Sequence, residues 1–335
     1  LSTELAGRVV QWLSGGGEVK SNEFSNGVRN QASGRLFLGL YKRIEKGMVG
    51  ALARLFKKQA DEIVRNFLRM AEAFGTGNLD ASDLVGEKWV MEVMEAVLPF
   101  MACGAAVSWA EALAVVGLDV RKYREGARKT KKTTASDWVN SHLSDWEKLV
   151  GAAEEVGLPL SLMTELPDWL KEDILSNLES SFKQPYWRRI QDTTVGKVDD
   201  ILRQGVAEGW SVDRIAKELK DVLGGDAAAR RRGRLIARTE LGNALNGGRK
   251  AAINGVREEL GGEGRLLRQV WYSVLGTTTR DTHAALDGVP EDETGCWTLA
   301  GIKVPWPGHW SLPPEERCNC QCTIVVEFGN WQEEE

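Results

Sequence analysis

The sequence contains few cysteine and histidine residues, and its charges nearly balance. Its 335 residues include only five cysteines and three histidines, and the formal net charge is −5. This balance gives the whole chain no electrostatic attraction to nucleic acid or to anionic lipid. Contact with DNA would therefore have to come from a local cluster of basic residues.

Signals for export and for membrane insertion are also lacking. The stretch from Leu1 to Gly17 has neither a basic region followed by an apolar one nor a small-residue cleavage site, so we do not expect secretion. The most apolar stretch, 96–118, is interrupted by Pro99 and Glu111. Its longest charge-free run is shorter than the roughly 20 residues that a spanning helix needs. We interpret it as a pair of buried helices and expect no membrane partner.

Helical patterns fill the first two thirds of the chain. Apolar residues return at helical spacing over 36–72, and further helical signals cover 88–117, 135–157 and 167–183. Ser211 is placed to cap a helix that ends at Gly224-Gly225, and another helix follows Asp226. On that last helix Thr239, Asn243 and Asn246 share one side, and we expect them to hold loops of the following region.

The pattern changes after Gly261-Gly262. Residues 268–274 alternate as in a strand, five of the nine prolines follow, and a closing strand is expected over 320–328. The predicted fold class is a mainly α N-terminal region followed by a small, loop-rich α+β C-terminal domain. We place a helical, partner-binding arm at 1–185, a helical connector at 186–225 and the C-terminal domain at 226–335.

Four of the five cysteines lie close to the C-terminus, together with two of the three histidines. In Cys318-Asn319-Cys320-Gln321-Cys322 an extended backbone would place all three sulfurs on one side. Thiolate and imidazole bind zinc-type ions at about 2.0–2.3 Å. The candidate ligands are His283, Cys296, His309, Cys318, Cys320 and Cys322.

Two interpretations of these residues stay open. The first is a structural Zn²⁺, because a loop-rich module of this size gains stability from a metal clip. The second is a set of reduced, partly buried cysteines, with His283 and His309 hydrogen-bonded to loop backbone.

The strongest basic cluster lies in the middle of the chain. Such a cluster can contact DNA phosphates without reading sequence, although a solvated linker would have the same composition. The candidate DNA-contacting residues are Arg121, Lys122, Arg124, Arg128, Lys129, Lys131 and Lys132.

An ordered series of motifs in the last third of the chain resembles the phage Mu F / SPP1 head-morphogenesis family. The series consists of an Arg-Thr-Glu helix, a Trp-bearing strand, a Thr-Arg-x-x-His-x-x-x-Asp-Gly segment, a Pro-Gly turn and a terminal Asn-Cys-x-Cys strand, over roughly 226–326. The motif residues, besides the Cys and His already named, are Arg238, Thr239, Glu240, Asn243, Asn246, Trp271, Arg280, Asp287 and Gly288.

The resemblance implies a minor capsid protein with a structural, non-enzymatic role. It would sit in the virion near the portal, inside the capsid, after assembly in the host cytoplasm, and act in head assembly or in DNA packaging or ejection. Its implied partners are the portal protein, the major capsid or scaffolding protein, and packaged DNA. His283, Cys320 and Cys322 match the family pattern, whereas Cys318 and Cys296 are additional.

Two alternatives remain. One is a metal-dependent hydrolase or nuclease built on His283, Asp287, His309 and Glu315 with the cysteines, for which the sequence has no His-Glu metal-protease motif and no phosphate-binding loop. The other is an internal virion protein that binds DNA non-specifically through 121–132 and 230–234.

Overall fold

The fold is described from a computed structural model of the chain. It describes residues 32–115, 141, 145–155, 157, 161–164, 166, 168–260 and 267–328. The basic cluster at 121–132 lies outside these residues.

Helices dominate the described chain up to Leu260, and short strands and loops follow, as the sequence predicts. The helices before the strands are α1 (Ala32–Phe74), α2 (Ala81–Leu84), α3 (Lys88–Val115), α4 (Trp146–Glu155), α5 (Ser161–Thr164), α6 (Asp168–Phe182), α7 (Tyr186–Ala207), α8 (Val212–Gly224) and α9 (Asp226–Leu260). The C-terminal elements are β1 (Leu267–Tyr272), α10 (Asp281–Ala284), β2 (Trp297–Leu299), β3 (Ile302–Val304), α11 (Pro314–Arg317) and β4 (Thr323–Phe328).

The two ends of α8 follow the predicted capping chemistry. The Ser211 side chain accepts a hydrogen bond from the Arg214 amide at 3.2 Å, which satisfies a backbone donor in the first turn. At the other end Gly225 donates to the Asp221 carbonyl. The prediction of a helix between Ser211 and Gly224-Gly225 is confirmed.

The apolar stretch after Lys88 forms one helix and not the predicted pair. Pro99 lies inside α3, and the helix continues through it to Val115. The window Lys88–Leu113 is long and apolar enough to cross a membrane by length and composition, and 56% of it is buried in the molecule. The core helix of a soluble protein passes the same test.

The chain divides into two compact units. The first comprises Leu1–Ile44, Pro99–Ser181 and Arg238–Glu335, and the second comprises Glu45–Leu98 and Phe182–Ala237. In the second unit one apolar cluster includes Ile63, Phe67 and Leu219. The predicted domain boundaries at 185 and 225 stay a prediction.

Within the first unit, two small antiparallel sheets carry the C-terminal region. β1 pairs with β4 so that Trp271 lies opposite Ile324. β2 and β3 form a hairpin in which Trp297 lies opposite Val304. Trp271, Trp297 and Ile324 belong to the buried cluster of this module.

The closing strand begins later than predicted, at Thr323 instead of Cys320. Asn319 adopts a φ of +58°, whereas residues of an extended strand have negative φ values. The Cys-x-Cys-x-Cys run is therefore not one strand, and its sulfurs do not follow simple alternation.

Candidate metal centre

Three of the six predicted ligands come together in the first unit. His283 lies on α10, and Cys320 and Cys322 lie on the segment between α11 and β4. Their ligand atoms all lie within 4.8 Å of one another, and all three residues are buried. This group has the donor chemistry and the spacing to hold a metal ion.

The imidazole of His283 faces thiols on one side and a carboxylate on the other. Its Nδ1 lies 3.3 Å from Cys322 Sγ and 3.6 Å from Cys320 Sγ, whereas Nε2 lies 3.0 Å from Glu316 Oε2. Thr282 Oγ1 also donates to that carboxylate oxygen. Because a carboxylate accepts hydrogen bonds, the hydrogen belongs on Nε2, and the lone pair of Nδ1 points at the sulfurs. A carboxylate on the far nitrogen is the usual partner of a metal-binding histidine.

The two buried thiols influence each other's ionisation. A hydrogen bond from Cys320 lowers the pKa of Cys322 well below its usual range, against the opposing effect of burial. The same hydrogen bond, together with burial, raises the pKa of Cys320. Thiolate is the form that binds metals. Cys322 is therefore the member of the pair that is more easily deprotonated.

The end of β1 holds His283 in place. Ser273 Oγ donates to the His283 carbonyl at 2.6 Å and accepts from Trp271 Nε1 at 3.1 Å, and the Trp271 ring meets the imidazole edge-on at 5.8 Å. Asp287 accepts from the Ser273 amide, and Gly288, at a φ of +77°, donates to the Trp271 carbonyl. The motif residues Trp271, Asp287 and Gly288 thus position the histidine.

Asn246 of α9 fixes the cysteine-bearing segment. Its Nδ2 donates to the carbonyls of Pro307 and Cys322, both at 3.0 Å. Its Oδ1 accepts from Thr323 Oγ1 at 3.1 Å and from the Ile324 amide at 3.3 Å. One buried amide side chain therefore joins the Pro-Gly turn, the ligand segment and β4 to the same helix.

The Arg-Thr-Glu motif and Arg280 hold α11 and the two residues that follow it. Glu240 forms a buried ion pair with Arg317, with 2.6 Å between Oε2 and Nη2. Thr239 Oγ1 accepts from the Asn319 amide, and Arg280 donates to the Cys318 carbonyl. Arg238 is half-buried on the same helix.

Asn243, on the same helix, holds the Pro-Gly turn. Its Oδ1 accepts from Trp306 Nε1 at 2.9 Å. With Thr239 and Asn246, it fulfils the expectation that the polar side of this helix holds loops of the C-terminal region.

The other three predicted ligands lie apart from this group among the described residues. Cys318 is half-buried at the end of α11, before the turn at Asn319. Cys296 hydrogen-bonds with Asp292 and Thr294. His309 pairs with Ser311 Oγ at 2.7 Å, and burial lowers its pKa to about 4. His309 is thus neutral at neutral pH.

Sequence reasoning missed Glu316 and named Glu315 instead. Glu316 faces His283, whereas Glu315 is exposed. No spacing in the sequence distinguishes the two, because the carboxylate approaches the imidazole only through the tertiary fold.

Comparison with known proteins gives one family. Residues 196–325 match the family model described as "Phage Mu protein F like protein". No curated protein and no solved structure was found to match the chain. The match ends at residue 325, close to the predicted limit of 326. It begins at residue 196, inside α7, which is earlier than the predicted start at 226. Over residues 196–325 the chain is therefore similar to the phage Mu protein F like family, as its motifs predicted.

Proposed function

We propose that the chain is a minor capsid protein that binds the portal inside the phage head and acts in head assembly or in DNA packaging or ejection. The observation that carries this proposal is the family match over residues 196–325, which indicates a phage head-morphogenesis protein of the virion. The major capsid or scaffolding protein is the second proposed partner. The chain would meet these partners in the host cytoplasm during assembly.

Association with the portal tests this function directly. The tagged full chain is co-expressed with the portal protein of the same phage, captured, and separated by size. We expect the full chain to migrate with the portal ring. A variant that lacks residues 196–325 shows whether this domain is required for the association. Failure to associate with portal, capsid or packaged DNA would overturn the proposal.

We further propose that His283, Cys320 and Cys322 hold one structural Zn²⁺. Two thiols and an imidazole suit zinc, and Glu316 is placed to orient the imidazole. The metal would join α10 to the segment before β4, which Asn246 ties to α9. X-ray absorption at the zinc edge should detect two sulfur neighbours, and a shell of only oxygen and nitrogen would contradict this ligand set.

A structural role for this group is favoured over catalysis. Three protein ligands leave one position of a tetrahedral ion open, but a catalytic metal needs that position to be reached by substrate, and His283, Cys320 and Cys322 are only 2%, 7% and 7% exposed. The other residues of the hydrolase alternative have separate contacts: Asp287 accepts from Ser273, and His309 pairs with Ser311. We therefore propose that the domain is not an enzyme.

A second candidate function is non-specific DNA binding by the second unit. Burial lowers the pKa of Lys197, and the charges of Arg232 and Arg231 lower it further. Arg232 donates to Ile190 and Thr194 of α7, and Arg231 is exposed on α9. Positive charge is thus concentrated where these two helices meet, which favours contact with phosphates.

Fluorescence anisotropy with a labelled duplex tests this second function. Binding should weaken steeply with salt, and replacing Lys197 and Arg231 with alanine should weaken it and reduce the salt slope by about two. Lys303→Ala is the matched control, because Lys303 pairs with Asp292 in the other unit. Binding that is absent at low salt would overturn the candidate.

A further inference from the structure

The large apolar side chains that stay exposed in the described part of the first unit lie together at the end of β1. Val274 and Leu275 follow the strand directly and are 45% and 66% exposed. Val289 is 36% exposed and lies beside the strand, because its carbonyl accepts from the Trp271 amide. Exposed apolar side chains that are clustered, unlike single ones, mark contact surfaces.

Carboxylates border these apolar side chains. Asp287 accepts from the Ser273 amide at 2.7 Å, which places it next to Val274. Thr279 Oγ1 donates to the Val274 carbonyl, so Asp281, two residues further on, lies at the same end of the strand. Neither carboxylate forms an ion pair with a cation in the residues that the structure describes. We call Val274, Leu275, Asp281 and Asp287 the acidic surface.

The acidic surface keeps a negative charge although Arg280 lies within it. Arg280 is half-buried and donates through Nη2 to the Cys318 carbonyl, whereas Asp281 is exposed. Another exposed carboxylate, Glu315, lies on α11, which the contact between Thr282 and Glu316 joins to α10. A partner for this surface therefore needs positive charge around an apolar centre.

The part of α9 that belongs to the second unit carries the complementary combination. Arg230 and Arg234 are four residues apart and share one side of the helix, with Arg231 and Leu235 beside them. All four residues are exposed, Leu235 to 47%. Like charges at this spacing repel each other, and no described carboxylate forms an ion pair with any of these three arginines. We call Arg230, Arg231, Arg234 and Leu235 the basic surface.

We propose that the acidic surface of one copy of the chain binds the basic surface of a second copy, in a head-to-tail contact. Leu235 would pack against the apolar centre of the acidic surface, while the arginines would face its carboxylates. Complementary charge favours this partner, since one chain carries both halves of the contact. Phosphates of DNA would also neutralise the arginines, but they offer Leu235 no apolar contact. Because the two surfaces differ, each pair leaves one surface of each kind unoccupied, and association can continue beyond two copies.

Sedimentation velocity of the full chain at rising concentration and low salt tests this contact. The sedimentation coefficient should rise above that of one copy, and added salt should reverse the rise because exposed charges are screened. The acidic-surface variant Leu275→Ser, Asp281→Asn and the basic-surface variant Arg230→Gln, Arg234→Gln should each weaken the association roughly tenfold or more. A full chain that stays a single copy at the highest concentration and low salt would overturn the proposal.

Mixing the two variants distinguishes a head-to-tail contact from other kinds of association. Each variant keeps one intact surface, so their equimolar mixture should form pairs and stop there. The matched control Arg65→Gln, Arg69→Gln makes the same change at the same spacing on α1 and should associate like the unchanged chain. Every substituted side chain is exposed, so the circular dichroism of the chain should not change.

Three results of these experiments would contradict the head-to-tail contact. One is unchanged association of either surface variant, and another is a mixture of folded variants that forms no pairs. The third is a chain that binds duplex DNA through Arg230 and Arg234 but stays a single copy, which would assign the basic surface to DNA instead.

Discussion

The buried ion pair between Glu240 and Arg317 allows the sharpest test of how the family motifs hold the C-terminal fold. The two side chains are only 2% and 3% exposed, and Arg317 also donates to the Gly308 carbonyl. Glu240→Gln keeps the shape of the side chain but removes the negative charge that faces the buried guanidinium of Arg317. Breaking a buried pair in this way costs about 3–5 kcal/mol. Urea unfolding should detect this loss in the free energy of unfolding.

A double variant distinguishes the effect of the buried charges from the effect of side-chain packing. The double variant Glu240→Leu, Arg317→Met removes both charges and should be more stable than Glu240→Gln alone, because an apolar pair leaves no buried charge. Lys303→Gln breaks an exposed pair, whose side chains are 51% and 41% exposed, and should cost less than about 1 kcal/mol. A Glu240→Gln cost as small as that of Lys303→Gln would show that the buried ion pair does not hold α11 on α9.

Three further predictions concern the same module. Asn246→Ala removes four hydrogen bonds, three of them buried, and should cost about 2–4 kcal/mol in urea unfolding; a loss below about 1 kcal/mol would contradict its linking role. Because the pKa of His309 falls from 6.5 to about 4 on folding, the unfolded chain binds a proton in this range and the folded chain does not. Lowering the pH from 6.5 to 4 should therefore reduce the free energy of unfolding by up to about 3 kcal/mol, and by less in the His309→Gln variant. Gly248→Ala should lower the melting temperature because its Cβ would meet the Ala105 carbonyl, whereas Gly196→Ala, with nothing within 4 Å, should stabilise by roughly 0.5–1 kcal/mol.

The sequence predicted the features that depend on local pattern. The amphipathic spacing of α1, the cap at Ser211 and the strand at β1 each depend on a short segment of the sequence. The polar side of α9 was also predicted, because a helix places Asn243 and Asn246 at a known spacing.

Features set by tertiary contacts were missed. The β2–β3 hairpin turns at Ala300 and Gly301, both at positive φ, and alanine gives no signal for such a turn. Asn319 likewise breaks the alternation that placed Cys318 beside Cys320. Glu316 reaches His283 only through folding.

The metal content of the purified full chain shows whether His283, Cys320 and Cys322 hold one metal ion. Prepared without chelators, the chain and its Cys318→Ser and Cys296→Ser variants should each contain about one equivalent of zinc, and the Cys320→Ser, Cys322→Ser variant should lose it. A chain with less than about 0.2 equivalents would contradict the claim, as would a Cys318→Ser variant that loses the metal completely.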